Sequence, residues 1–152
     1  MSLTDSSGIR LGVPNRIAAV ITELLDERWE VWLIGSQANR EATEQSDWDF
    51  LAFGDCSTLK RLAQEPPIHG LDLLIVVDGD KFLSPWHRAG DGTVKSGRLQ
   101  DWRWCRQSNG VASYESTKFP VGAPEPTVRT CAALRVESIE TGGDSTMKER
   151  EP

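Results

Sequence analysis

The chain has no stretch approaching the ~20 apolar residues that a bilayer span needs. Its first ten residues, MSLTDSSGIR, also lack the apolar run of a secretion signal. The expectation is a soluble, cytoplasmic protein with no membrane partner. Cysteine is scarce: Cys56, Cys105 and Cys131 are odd in number and not at metal-ligand spacing. That pattern argues against a disulfide framework and against a zinc site. Positive charge is also short, with 17 Lys and Arg against 23 Asp and Glu and a formal net charge of -6, so no bulk nucleic-acid binding is expected. The two histidines, His69 and His87, each stand alone beside turn residues and read as loop histidines. Internal repeats and long single-sign charge runs are absent as well.

What remains is enough for one folded unit. At 152 residues the chain can bury one hydrophobic core but hardly two. Pro120, Pro124 and Pro126 crowd together, and Gly142 and Gly143 follow in a polar setting. The composition therefore divides the chain into a flexible N-terminus over residues 1–13, a domain over 14–119 and a mobile tail over 120–152. Val128, Cys131, Ala132 and Ile139 form a weak apolar pattern compatible with a marginal helix in that tail.

Within the domain, Ile17, Val20, Ile21, Leu24 and Leu25 after Pro14 have helical spacing, giving a helix over about 14–28. VWLIG is a buried strand ended by glycine, with Gly35 and Ser36 at its exit. A short polar helix follows, with Ala38 and Ala42 four apart. DWDFLAF is a second strand, whose alternation puts Asp47, Asp49, Leu51 and Phe53 on one face and Trp48, Phe50 and Ala52 on the other. Ser57 is placed to cap a helix that stops by Pro66 and Pro67. LDLLIVVD is a third strand, apolar except for Asp72 at its start and Asp78 at its end. KFLSPWHRAGDG reads as a loop with a helical turn, and two strands around the turn SNG follow. Trp102 and Trp104 share a face there and read as packing residues. Lys81, Arg88, Lys95 and Lys118 read as solvated charges, one or two of which could line a phosphate pocket. The fold class expected is α+β: a mixed sheet flanked by helices in αβαβαβ order, with a β-hairpin added after the core.

A carboxylate in an apolar strand is costly unless it is paired, hydrogen-bonded or bound to a cation. If the strand of Asp72 lies beside that of Asp47 and Asp49, the three acids converge. Such an oxygen cluster suits Mg2+ or Mn2+, which prefer a few carboxylates completed by water and phosphate oxygens. A glycine-serine turn at a helix start offers backbone N–H groups to the phosphates.

Gly35-Ser36, ten residues, Asp47-Trp48-Asp49-Phe50, then Asp72 in a later apolar strand resembles the signature of the DNA polymerase beta-type nucleotidyltransferase superfamily, in its minimal branch. The resemblance covers residues 14 to 78. It implies a nucleotidyltransferase fold in which Asp47 and Asp49 ligate the metals holding an NTP, ATP first among them. Asp72 would be the third carboxylate, and Gly35 and Ser36 would contact the β and γ phosphates. The chain departs from the pattern Gly-Ser-x-Ala-Arg-Gly: Ala38 matches, but Asn39 and Arg40 stand at the last two places, so Arg40 is a candidate triphosphate contact that does not match by position. The implied reaction moves a nucleoside monophosphate to a hydroxyl on a small molecule, a protein or an RNA end. The alternative is a non-catalytic, antitoxin-like module that keeps the fold and binds a protein partner.

Overall fold

The computed structural model describes residues 1–87, 94–107, 110–119, 121–122 and 124–140. Pro120, Arg88, Gly142, Gly143, most of the SNG turn and the side chain of His87 lie outside the described residues. The chain is α+β, mostly sheet, with three α-helices among the described residues. Two short strands, β1 (Ser2–Asp5) and β2 (Arg10–Gly12), come first. The helix α1 (Asn15–Asp26), strand β3 (Glu30–Ile34), helix α2 (Gly35–Ala38), strand β4 (Trp48–Phe53), helix α3 (Cys56–Ala63) and strand β5 (Leu71–Val77) then follow in the expected alternation. Five more strands follow among the described residues: β6 (Lys81–His87), β7 (Val94–Arg98), β8 (Cys105–Arg106), β9 (Val111–Lys118) and β10 (Thr127–Glu140), with a 3-10 turn at Leu99–Trp102. None of the described helices is long and apolar enough to cross a membrane.

The strands pair in the order β2-β1-β10-β3-β4-β5-β6-β7, and β9 pairs with both β10 and β8. β4 runs antiparallel to β3 and parallel to β5. Side-chain alternation divides the core in two. On one face Phe50, Ala52, Leu73 and Ile75 pack with Ile17, Ile21 and Leu24 of α1 and Leu62 of α3. On the other, Leu51, Leu74 and Val76 pack with Phe82, Leu99 and Tyr114, with Trp102 and Trp104 against them. The longer helices therefore cover one face only, and aromatic residues from the second half of the chain cover the other.

Four expectations are corrected. Residues 127–140 are a strand of the sheet: β10 pairs with β9 over 127–134, with β3 at Leu134 and Arg135, and with β1 from Val136 onward. Cys131, Ala133 and Val136 are buried, so this part of the presumed tail belongs to the core and is not a helix. The partners of these buried side chains lie far away in sequence, which is why the weak apolar pattern of this segment reads locally as helical spacing. The N-terminus is likewise integral, with Leu3 fully buried and β1 laid on β10. Residues 81–87 form β6 despite Pro85, because β6 pairs with β5 only through Lys81, Phe82 and Leu83 and the proline lies beyond that ladder. Finally, Asp55 rather than Ser57 caps α3, accepting from Thr58 N at 2.9 Å and from Ser57 Oγ at 2.7 Å.

Candidate functional site

The second face of the sheet opens into a cleft of about 620 Å³ where β3 ends and β4 and β5 begin. Asp49 and Asp72 are register partners in the parallel pair of β4 and β5. Both point into the cleft, side by side on its floor with Leu74. Lys95 from β7 reaches Asp72, with Nζ 3.4 Å from Oδ2. Burial, then the neighbouring Asp72 charge, pushes the Asp49 carboxyl up to about 6, with Lys95 opposing and Asp47 adding a smaller push.

Gly35 explains why a glycine ends β3. Its φ is +73°, and a Cβ there would lie 2.1 Å from Asp49 Oδ2. The turn thus lays the backbone against the carboxylate, at a φ and a separation where any side chain would be strained. The N–H of Gly35 donates to the Tyr114 hydroxyl at 2.8 Å, and Ser36 lines the cleft next to it. Burial pushes the Tyr114 hydroxyl up to about 12, so it stays protonated. Trp102 forms part of the same wall, its ring 4.6 Å from that of Phe82 and 5.6 Å from that of Tyr114.

Asn39 and Arg40, the two departures from the resembling motif, have distinct local roles. Asn39 fastens α2 to β10: its Nδ2 donates to Gly35 O at 2.8 Å and to Ala132 O at 3.1 Å, and its Oδ1 accepts from Ala132 N at 2.8 Å. Arg40 sits at φ +57°, in the left-handed region that favours glycine. This is the position that carries glycine in the motif, so the backbone asks for glycine and the chain supplies arginine. Arg40 is exposed and does not line the cleft. Among the described residues, the cations that do are Lys95, Lys118 and Arg129. Arg129 holds Glu41 in a two-pronged pair, Nη1 to Oε2 at 2.6 Å and Nη2 to Oε1 at 2.5 Å.

The structure therefore brings together Gly35, Ser36, Asp49 and Asp72. Asp47 is exposed just before β4 and outside the cleft lining. No group of three or more His, Cys, Asp or Glu side chains is poised to hold a metal among the described residues. Comparison with protein-family models, with curated proteins and with solved structures gave no match. Sequence reasoning missed Glu41, Tyr114 and Arg129. Tyr114 stands at an inward position of the alternating run VASYES and could have been found there. Arg129 carried no such signal, because only the long-range pairing of β10 brings it to the cleft.

Proposed function

We propose that the cleft binds an NTP, ATP first among them, together with Mg2+ or Mn2+, and transfers the nucleoside monophosphate to a hydroxyl with release of pyrophosphate. This is the activity of the DNA polymerase beta-type nucleotidyltransferases that the sequence resembles, and the alternation from α1 to β5 is compatible with their fold. The observation that carries the reading is the in-register pairing of Asp49 and Asp72 on the cleft floor, with Gly35 shaped to Asp49.

The donor set fits a hard divalent ion. Two carboxylates stand together, one of them held at a raised pKa by burial and like charge, and a bound cation would relieve that repulsion. Asp49 and Asp72 would hold it, with Asp47 near enough to add charge from outside. When bound, such an ion neutralises charge on the phosphates and lowers the barrier to displacement. The chain's own residues supply the rest. Ser36 and the α2 turn orient the phosphates, and the Tyr114 hydroxyl can donate toward a phosphate oxygen. Asp72 would take the proton of the acceptor hydroxyl. The acceptor oxygen then bonds to the α phosphorus, the bond from that phosphorus to the bridging oxygen breaks, and pyrophosphate leaves with its electron pair. The acceptor is a small molecule, a protein or an RNA end.

One observation favours the second reading, a protein-binding module without catalysis: Lys95 already pairs with Asp72, so half of the acidic pair is compensated with no metal. Labelled ATP separates the two. With Mg2+ and candidate acceptors, label at the α phosphate should pass to the acceptor and label at the γ phosphate to pyrophosphate, and Asp49→Asn should abolish both. Absence of metal-dependent turnover, or transfer of the γ label to the acceptor, would overturn the proposal.

A further inference from the structure

Glu41 faces the cleft because of its neighbour. The left-handed turn at Arg40 sends the arginine outward, and the Glu41 backbone N–H then donates to Ser36 O at 2.9 Å, which fixes residue 41 beside the α2 turn. From there the Glu41 carboxylate crosses to β10 and takes both outer nitrogens of Arg129. A fork of two parallel N–H donors is the geometry with which arginine binds phosphate as well as carboxylate. Lys118 lines the same wall and lies within electrostatic range of Glu41. Arg129 and Glu41 are both close to half exposed, so the pair is open to exchange with solvent and ligand.

We propose that Arg129, assisted by Lys118, is a binding site for a phosphate chain, and that Glu41 fills it in the ligand-free protein as a built-in competitor. The site rests on the nucleotide reading above, but it makes its own demand on the chemistry. A carboxylate holds the fork until a polyphosphate, with more charge and more acceptor oxygens, displaces it. Glu41 then swings away while its backbone stays tied to Ser36. The exchange raises the ligand concentration needed for binding and favours polyanions over single carboxylates or inorganic phosphate.

The test uses inorganic tripolyphosphate without divalent metal, titrated calorimetrically into the full chain at low salt. Removing the competitor with Glu41→Gln should tighten binding roughly 1.5- to 5-fold, the range that an exposed ion pair of this kind can withhold. Arg129→Met should abolish the tight phase. Glu41→Gln combined with Arg129→Met should bind no better than Arg129→Met alone, which shows that Glu41 acts through Arg129 and not by general repulsion. Thermal melts of each variant confirm that it is folded. Unchanged or weaker binding in Glu41→Gln, or equal tightening with and without Arg129, would overturn the inference. Mg2+-ATP binding that still depends on Asp49 in that event leaves the nucleotide reading standing. Loss of the Asp49 dependence with the Glu41 effect intact would instead leave an anion site without the proposed chemistry. ATP in the same metal-free titration distinguishes a site for nucleotides from one for free polyphosphate.

Discussion

Replacing Asp49 by Asn should stabilise the metal-free protein, and the size of the effect should depend on pH in a defined way. The Asp49 carboxyl rises from its ordinary value of 3.8 to about 6 through burial and the adjacent Asp72. At ~1.4 kcal/mol for each decade, that difference corresponds to about 3 kcal/mol held against the ionised folded state. Asp49 is partly open to the cleft, and solvent screening brings the expected effect to about 1–2 kcal/mol. The sign follows from linkage. Because the folded state binds the proton more tightly than the unfolded chain, the cost is absent below about 4, grows between 4 and 6, and is complete above 6. Urea melts in EDTA at pH 4 and pH 7.5 measure it directly: Asp49→Asn should exceed the wild type at pH 7.5 and equal it at pH 4. An Asn variant that is less stable at pH 7.5, or one whose advantage is the same at both pH values, would show that Asp49 is a satisfied structural acid.

Gly35→Ala should cost about 2–4 kcal/mol in chemical denaturation, since it places a side chain at positive φ and drives a methyl group into the Asp49 carboxylate. Arg40→Gly should be neutral or stabilising by up to about 1 kcal/mol, because relief of the left-handed arginine is offset in part by the extra freedom of glycine in the unfolded chain. The same variant should keep its nucleotide affinity, as Arg40 stands outside the cleft. Truncation after Phe119 removes β10 from between β1 and β3 and should abolish the cooperative melting transition, so a truncated chain that still melts sharply would refute the sheet order.

Much of the first half of the fold was readable from local pattern. Apolar spacing after Pro14 marked α1, and the runs VWLIG, DWDFLAF and LDLLIVV marked three strands whose inward and outward faces followed from alternation. The juxtaposition of Asp49 and Asp72 needed one further fact, the parallel pairing of β4 with β5, which the sequence pattern left open. The second half resisted because its structure is decided by distant partners. Pro85 disguised β6, and β10 opens on a run of exposed residues, Arg129 and Thr130 among them, that resembles a polar linker. Asp55 outcompeted Ser57 as a cap because its carboxylate can accept from both Ser57 and Thr58, a distinction of geometry rather than of residue type. Arg40 carried the charge expected at a phosphate site, but its backbone conformation turns it away and leaves that wall of the cleft to Arg129.

The central claim is that Asp49 and Asp72 form a metal-dependent nucleotide site. Calorimetric titration of ATP, with Mg2+ and again with EDTA, into the wild type and Asp49→Ala tests it most directly. The wild type should bind ATP with Mg2+ and bind it far more weakly in EDTA, while Asp49→Ala should be folded and show no gain from Mg2+. ATP binding that is absent up to millimolar concentrations, or that is indifferent to both Mg2+ and Asp49, would contradict the account and favour the protein-binding module.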